Sequence, residues 1–143
     1  LPVCLMHMQG TPTTMQDRPS YDSIVEDVSA FFRERIEKLA GVGIDCSRVL
    51  LDPGFGFGKT AAHNLQLLKR LSEFEPLGFP LLVGLSRKSM FGDVLGRDVN
   101  DRLAGSLAAA LIAAQNGAKI IRVHDVRETA DVLKLWNAVA LAQ

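Results

Sequence analysis

The sequence has no excess of either charge, because 16 Lys and Arg side chains balance 16 Asp and Glu side chains in 143 residues. A chain without net charge has no long-range field to attract nucleic acid or an anionic membrane. Its apolar runs are much shorter than a membrane span, and no signal peptide is evident. We therefore expect neither nucleic acid nor membrane as a partner, and any bound anion must be held by local geometry.

Cysteine is also scarce, since the sequence contains only Cys4 and Cys46. The two lie far apart, in a spacing that suits neither a metal site nor a redox motif. We expect both to be reduced, buried, small side chains, which is typical of a cytoplasmic protein.

Apolar residues make up 48% of the sequence and charged residues 22%, as in folded globular proteins. The length suffices for one domain with a core but not for two large ones. The chain opens directly on a strand-like run at Leu1, which predicts that residues 1–143 form a single partial domain whose upstream portion has been left out.

Four short apolar runs predict β-strands, and each is followed by a helical pattern. The predicted strands are Pro2–Met8, Val49–Asp52, Pro80–Leu85 and Lys119–His124. Their nearly continuous Val, Leu and Ile content is typical of parallel strands that are covered on both faces.

The helical patterns have recognisable ends. The first has apolar residues from Ile24 to Leu39, a possible capping box of Ser23 with Glu26, and a closing glycine at Gly41. The remaining patterns carry Leu65, Leu68 and Leu71, then run over Asn100–Asn116 and over Thr129–Leu141.

Strand–helix alternation repeated four times indicates an α/β fold with a parallel sheet. Two arrangements fit, an open doubly wound sheet or half of a (β/α)8 barrel, and a full barrel needs about 250 residues. Both place functional residues at the carboxyl ends of the strands.

A glycine-rich run, Asp52–Thr60, follows the second strand. It is not a phosphate-binding loop, because Pro53 occupies the first glycine position and has no N–H. Phe55 and Phe57 belong to no periodic element, so we expect both outside the core, where a ring can stack on a flat ligand. Asp52 is either a turn cap or a buried carboxylate that accepts two N–H groups from a heterocycle.

The run Ser86 to Ser89 follows the third strand and is predicted to open a helix. Ser86 can be its N-cap and Arg87 can face solvent, but two cations at a helix N-terminus oppose the helix dipole unless a ligand requires them. Lys88 is therefore a functional candidate, and Ser89 can receive a carboxylate.

Arg122 and His124 alternate along the fourth strand and should point the same way. On a buried face these two side chains need an anionic partner. Asp125 can be that partner, but a phosphate or pyrophosphate would satisfy both side chains better. Met6 is either a core residue or the wall of a slot for a flat ligand. His63 is predicted to be a surface or capping residue, and His7 receives no role.

These motifs, in this order, resemble the dihydropteroate synthase family over essentially the whole chain. The matching runs are Leu51–Lys59, Gly84–Ser89, Ile121–Asp125, Leu5–Gly10 and Arg102–Leu107. The resemblance implies that the chain is the second half, four βα units, of a (β/α)8 TIM barrel. It also implies condensation of 6-hydroxymethyl-7,8-dihydropterin diphosphate with 4-aminobenzoate, which yields 7,8-dihydropteroate and diphosphate in folate biosynthesis, and sensitivity to sulfonamides.

The resemblance assigns roles to individual residues. The implied pterin-binding residues are Met6, Asp52, Gly84, Lys88 and Arg122. Those implied for 4-aminobenzoate are Phe57, Lys88 and Ser89, those for diphosphate are Arg122 and His124, and the catalytic residues are Lys88, Arg122 and His124. A magnesium ion is implied too, with its ligand in the N-terminal half that this sequence does not include.

Two other functions remain open. A pterin-binding methyltransferase domain would share the barrel and the carboxylate, but it needs neither a diphosphate site nor a 4-aminobenzoate site. A non-catalytic half-barrel that serves for binding or assembly is the other. Because four strands of a barrel expose two edges and one unfilled interior face, we expect the chain to self-associate, as a homodimer or half-barrel pair, and to be inactive alone.

Overall fold

A computed structural model describes residues 1–142 and contains one parallel, four-stranded sheet. Its strands are β1 (Val3–Met6), β2 (Val49–Asp52), β3 (Leu81–Val83) and β4 (Ala118–Ile121). The order of the strands in the sheet is their order in the chain. A doubly wound sheet reverses its strand order at a switch point, whereas a barrel does not. The α/β prediction is confirmed, and the strand order favours the barrel.

Five α-helices are found in residues 1–142. They are α1 (Ile24–Gly41), α2 (Ala61–Lys69), α3 (Met90–Leu95), α4 (Leu103–Gln115) and α5 (Val126–Leu141). Short 3₁₀ segments occupy Cys46–Arg48, Leu71–Leu77 and Val99–Asp101. None of the helices in this part of the chain combines the length and the apolar character needed to cross a bilayer.

The hydrophobic core lies between the helices and one face of the sheet. Val49, Leu51, Leu81 and Val83 are buried there, together with large side chains such as Phe32 of α1. Full burial of each large apolar side chain stabilises the fold by about 1.5–3 kcal/mol.

The other face of the sheet is only partly covered. Cys4 and Ile120 are exposed, and Leu50 and Leu82 are half-buried. The cover on both faces that the apolar strands predicted is therefore absent from this face, because residues 1–142 contribute helices to one side only. This exposure matches the unfilled interior expected of four strands from a barrel.

Phe55 does not lie outside the core as predicted. Its side chain is 1% exposed and belongs to the hydrophobic cluster. The chain turns at Gly54 and Gly56, whose φ angles of 72° and 80° are readily adopted only by glycine. These turns bury Phe55 and leave Phe57 half-buried.

The cysteine prediction was half right. Both thiols are free, but Cys4 is exposed and Cys46 is only partly buried. Cys4 lies on β1, a strand whose side chains are mostly exposed because it forms one edge of the sheet.

The expected capping box at the start of α1 does not form. Ser23 occupies the N-cap position, but its side chain makes no capping bond, and the nearby N–H of Asp22 donates instead to the Asp27 carboxylate at 3.1 Å. A capping box forms at α2, where Thr60 and His63 exchange two hydrogen bonds of 3.2 Å. The capping prediction for His63 is thereby confirmed.

Candidate functional site

The candidate side chains meet at the carboxyl end of the sheet. Met6 ends β1 and pairs in register with Asp52, the last residue of β2. A cleft of about 170 Å³ lies beside them, and it is lined by Gly84, Ser86, Lys88, Arg122, Val123 and His124. Residues that follow β3 and β4 therefore share one surface with the end of β2.

The two carboxylate oxygens of Asp52 have different partners. Oδ1 accepts a 2.8 Å hydrogen bond from the N–H of Gly54, and Oδ2 lies 3.7 Å from Nη2 of Arg122. Burial raises the pKa of this 2% exposed carboxyl, although the Gly54 N–H and the nearby cations oppose that change. The turn role of Asp52 thus uses one carboxylate oxygen, and the other faces Arg122.

The Arg122 guanidinium lies along the turn after β3. A Cβ atom on Gly84 would be 2.9 Å from Nη2 and 3.2 Å from Nε of Arg122, so a larger residue there would displace the guanidinium from this position. The Arg122 side chain is 63% exposed. Its contact with Asp52 is longer than a hydrogen bond, so its N–H donors remain able to bind an anion in the cleft.

His124 is oriented by Ser86. Its Nδ1 lies 3.0 Å from Ser86 Oγ, and its backbone N–H donates to the same oxygen at 3.3 Å. Ser86 is buried and is not the N-cap of a helix, which corrects one of the alternatives for this residue.

Arg122 and His124 line one cleft, but they are exposed rather than buried, and they follow β4 rather than lying within it. β4 ends at Ile121 because its neighbour β3 ends at Val83, whose carbonyl accepts the last inter-strand bond from the Arg122 N–H at 2.8 Å.

Arg87 is exposed, as expected for a side chain that can face solvent, and it is also held in an ion pair. Its Nη2 and Nε lie 2.6 and 3.2 Å from the two carboxylate oxygens of Asp125. This pairing lowers the pKa of Asp125 and commits that carboxylate to Arg87 instead of to Arg122 or His124.

The backbone of Arg87 is also fixed. Its φ of 59° lies in the left-handed region, which costs a non-glycine residue roughly 1–3 kcal/mol. Its N–H donates to Ser106 Oγ at 2.9 Å, and its carbonyl accepts from Arg102 Nη1 at 3.1 Å. This conformation interrupts the chain before α3, so the predicted helix does not open at Ser86 but at Met90.

Lys88 is positioned by an aromatic ring rather than by a helix dipole. Its Nζ lies 4.5 Å from the centroid of the Phe57 ring, within cation–π distance. Burial lowers the pKa of the Lys88 ammonium, the Asp52 carboxylate opposes that change, and Arg122 adds to it. Ser89, the N-cap of α3, is exposed, and its hydroxyl makes no capping bond.

Lys59 and His7, to which no role was assigned from the sequence, lie together in the structure. The Lys59 Nζ lies 2.9 Å from His7 Nδ1 and donates to the carbonyls of Gly54 and Phe57, both at 3.0 Å. The glycine-rich loop thus points backbone carbonyls at an ammonium, whereas a phosphate-binding loop points backbone N–H groups at an anion. This agrees with the prediction that the run is not a phosphate-binding loop. The sequence does contain a signal for a role of Lys59, because a lysine stands in an otherwise apolar, glycine-rich run.

The described residues do not form a metal site by themselves. No group of three or more His, Cys, Asp or Glu side chains in residues 1–142 is arranged to hold a metal ion. The buried carboxylate of Asp52 is already engaged by Gly54 and faces Arg122. These residues therefore do not fit magnesium without ligands from elsewhere.

Comparison with known proteins adds independent observations. The profile of a family described as pterin binding enzyme matches residues 1–124. The dihydropteroate synthase of Haemophilus influenzae is 55% identical over 99% of this chain, which corresponds to 52% of that protein. The chain thus spans about half the length of this relative.

Two solved structures share the fold. The Yersinia pestis dihydropteroate synthase in complex with a sulfonamide drug matches with a TM-score of 0.95 at 52% identity, over 100% of this chain and 52% of that chain. The Xanthomonas albilineans dihydropteroate synthase in complex with 7,8-dihydropteroate matches with a TM-score of 0.90 at 49% identity, over 100% and 53% respectively. The fold is therefore the second half of a (β/α)8 barrel, four βα units in sequence.

Proposed function

Because the chain belongs to the pterin-binding enzyme family, we propose that it forms one side of the active site of a dihydropteroate synthase. The reaction joins 6-hydroxymethyl-7,8-dihydropterin diphosphate to 4-aminobenzoate and releases diphosphate. One observation carries the proposal. Four candidate side chains meet at the carboxyl end of the sheet, namely those of Asp52, Lys88, Arg122 and His124. All of this chain matches about half of a dihydropteroate synthase structure.

The pterin is proposed to bind against Asp52. The amino-pyrimidine edge presents two N–H donors, which suit an ionised carboxylate. Arg122 and Lys88 counter the effect of burial on the Asp52 pKa and so favour the ionised form. Met6 and Gly84 line the slot, and the exposed Arg122 guanidinium stacks on the flat ring.

The diphosphate is proposed to leave between Arg122 and His124. As the C–O bond breaks, negative charge grows on the departing oxygen, and preorganised donors stabilise that charge. Ser86 fixes the His124 ring through Nδ1, so Nε2 is the nitrogen available to the leaving group.

The 4-aminobenzoate is proposed to pack beside Phe57 with its carboxylate toward Ser89 and Lys88. Its amine attacks the pterin methylene, so an N–C bond forms as the C–O bond breaks, and the amine then loses a proton. An aromatic amine is already nucleophilic, so no Ser–His or Cys–His pair is required.

Magnesium belongs to this proposal only as a group held elsewhere in the complete enzyme. Residues 1–142 contain no cluster that fits the ion. We assign its ligand to the half of the barrel that this chain does not span and route no step through it.

We also propose that residues 1–143 are a single partial domain that self-associates. β1 and β4 are the edges of the sheet, and Val3 and Ile120 on these strands are 49% and 41% exposed. If β1 of each copy pairs with β4 of the other copy, all four edges have a partner, as in a closed barrel. We expect no turnover from the chain alone. Free thiols at both cysteines support a cytoplasmic location.

The test uses a complete barrel, made by joining this chain to the complementary half of the Haemophilus influenzae dihydropteroate synthase; we call it the joined barrel. With both substrates it should form 7,8-dihydropteroate and diphosphate in equal amounts. A folded joined barrel that forms neither product would overturn the proposed function.

A further inference from the structure

The glycine-rich turn after β2, residues 53–58, is named the aromatic loop here because it carries Phe55 and Phe57. We infer that Lys59 is a positioning residue whose side chain fixes the aromatic loop against the chain that follows β1, and so sets the place of Phe57. The inference rests on the proposed function, since Phe57 is the residue proposed to pack on 4-aminobenzoate.

The Lys59 ammonium connects three separate points. It donates to the carbonyls of Gly54 and Phe57, near the two ends of the loop, and contacts Nδ1 of His7 just after β1. Gly54 and Phe57 are themselves joined by a 3.1 Å backbone bond across the turn. The Lys59 side chain is almost fully buried, with 4% of the residue exposed. A buried ammonium with three partners is expensive to disturb, because each freed polar group loses its partner away from water.

The loop backbone packs closely against the chain that follows β1. A Cβ on Gly54 would lie 1.8 Å from the His7 carbonyl oxygen, and one on Gly58 would lie 2.7 Å from the Gln9 carbonyl oxygen. These two glycines therefore bring the loop backbone directly against the chain after β1. Lys59 occupies the interior of that contact.

Other carbonyls of the loop are held from the same side. Gln16 Nε2 donates to Gly56 at 2.8 Å, and the Tyr21 hydroxyl donates to Gly58 at 2.7 Å. Gln16 is exposed, and Tyr21 is half-buried. Of these three tethers, Lys59 is the most deeply buried, and its ammonium alone reaches two loop carbonyls.

The consequence reaches the cleft through Phe57. The Lys88 ammonium lies 4.5 Å from the Phe57 ring centroid, and the Lys88 side chain also rests against Gly56, where a Cβ would be 3.2 Å from its Cδ. Displacement of the loop therefore displaces the surface on which Lys88 rests. Lys59 touches no proposed substrate atom, so its effect is on position and not on the chemical step.

The charges around Lys59 agree with this role. Burial and the Lys59 cation lower the pKa of His7 to about 4, so His7 is neutral near pH 7 and its Nδ1 can accept a hydrogen bond. Burial lowers the pKa of Lys59 to about 7, with Asp52 opposing that change and Lys88 adding to it. Neutral or charged, a lysine amine retains enough N–H groups for both loop carbonyls.

The test compares Lys59→Met, which keeps the length of the side chain but removes the donors, with Lys69→Met on the exposed end of α2. Hydrogen–deuterium exchange of residues 53–58 should become faster in Lys59→Met and stay unchanged in Lys69→Met. In the joined barrel, the KM for 4-aminobenzoate should rise roughly tenfold or more, as expected when a contact surface moves. The KM for the pterin diphosphate should change less. Lys59→Gln keeps an NH2 group on a shorter side chain. It should give intermediate values of the exchange rate and of the KM for 4-aminobenzoate, and it replaces Lys59→Met if the latter does not fold.

Unchanged exchange in residues 53–58 would overturn the inference, whatever happens to catalysis. Faster exchange with an unchanged KM for 4-aminobenzoate, or with equal rises in both KM values, would overturn the positioning role. Failure of the proposed function is a different outcome, because there the unmodified joined barrel forms no product, while the exchange experiment still tests the role of Lys59 in the loop.

Discussion

Nη2 of Arg122 lies 3.7 Å from Oδ2 of Asp52, although Asp52 ends β2, Arg122 follows β4, and β3 lies between those two strands. Gly84 permits the approach, because a larger residue there would collide with the guanidinium. The pair places a guanidinium that can bind an anion beside the Asp52 carboxylate, which is proposed to bind the pterin. The proposed reaction requires these two groups to lie close together, because the diphosphate leaves from the methylene that is attached to the pterin.

Asp52→Asn should weaken binding of 6-hydroxymethyl-7,8-dihydropterin to the joined barrel by at least roughly tenfold, since hydrogen bonds to charged groups are each worth about 1.5–3 kcal/mol. Binding of 4-aminobenzoate should change little. Calorimetry with each ligand measures both quantities, and Asp131→Asn on the exposed face of α5 is the control. Equal losses for the two ligands would contradict the role of Asp52.

Arg122→Leu should weaken binding of the pterin diphosphate more than binding of the pterin alcohol that lacks phosphates. The reason is that the guanidinium is proposed to bind the leaving diphosphate. Competitive binding of the two ligands to the joined barrel gives the ratio, and Arg127→Leu on α5 is the matched control. If both ligands lose affinity equally, Arg122 does not bind phosphate.

Much of this site could be predicted from local sequence. The bounds of β2 were predicted correctly because a short apolar run between polar residues has few alternatives, and the turns after β2, β3 and β4 followed from the alternation of strands and helices. The partner of Arg87 was not predictable, because Asp125 is distant in sequence and comes near it only when β3 and β4 pair. Phe55 was misplaced because a loop has no periodicity from which to deduce burial.

The exposed sheet face agrees with the half-barrel expectation but not with the cover on both faces that the apolar content of the strands predicted. Parallel strands usually have cover on both sides, but the cover on the inner side of a barrel comes from the opposite strands. Residues 1–142 contribute four strands, so Ile120 and Cys4 lie exposed. The partners of Lys59 were missed because they are backbone carbonyls and a histidine ring, which leave no pattern in the sequence.

The stability that Lys59 confers should depend on pH with a defined sign. In the folded protein Lys59 has a pKa of about 7, whereas the lysine of the unfolded chain has the ordinary pKa of 10.5. Between these values the unfolded state binds more protons, so the stability of the unmodified protein relative to Lys59→Met should rise with pH, by at most about 1.4 kcal/mol per pH unit.

Chemical denaturation of the joined barrel and its Lys59→Met variant, at several pH values across that window, measures this difference. The other titrating groups that are coupled to Lys59 are His7, Asp52, His63 and Lys88, and all four are present in both proteins. His7 titrates near pH 4, outside the window. A difference that is flat or that falls with pH would contradict the lowered pKa of Lys59.

Sedimentation velocity of the chain alone at micromolar concentration should show dimers or larger species. A charge on an edge strand opposes edge pairing, so Val3→Lys should shift the distribution toward monomer, while Val42→Lys at an exposed position outside the strands should not. A compact monomer for the unmodified chain would contradict the proposed self-association, and diphosphate release by the chain alone would contradict the expected lack of turnover.

The most direct test of the account is the rate of 7,8-dihydropteroate formation by the joined barrel when Lys88 is replaced by alanine. Lys88 rests on Phe57 and is coupled electrostatically to Asp52 and Arg122, so it connects the two proposed substrate sites. The account predicts at least a roughly hundredfold decrease in kcat/KM, as for loss of one preorganised electrostatic contact, with an almost unchanged melting temperature. Turnover close to that of the unmodified joined barrel would contradict it.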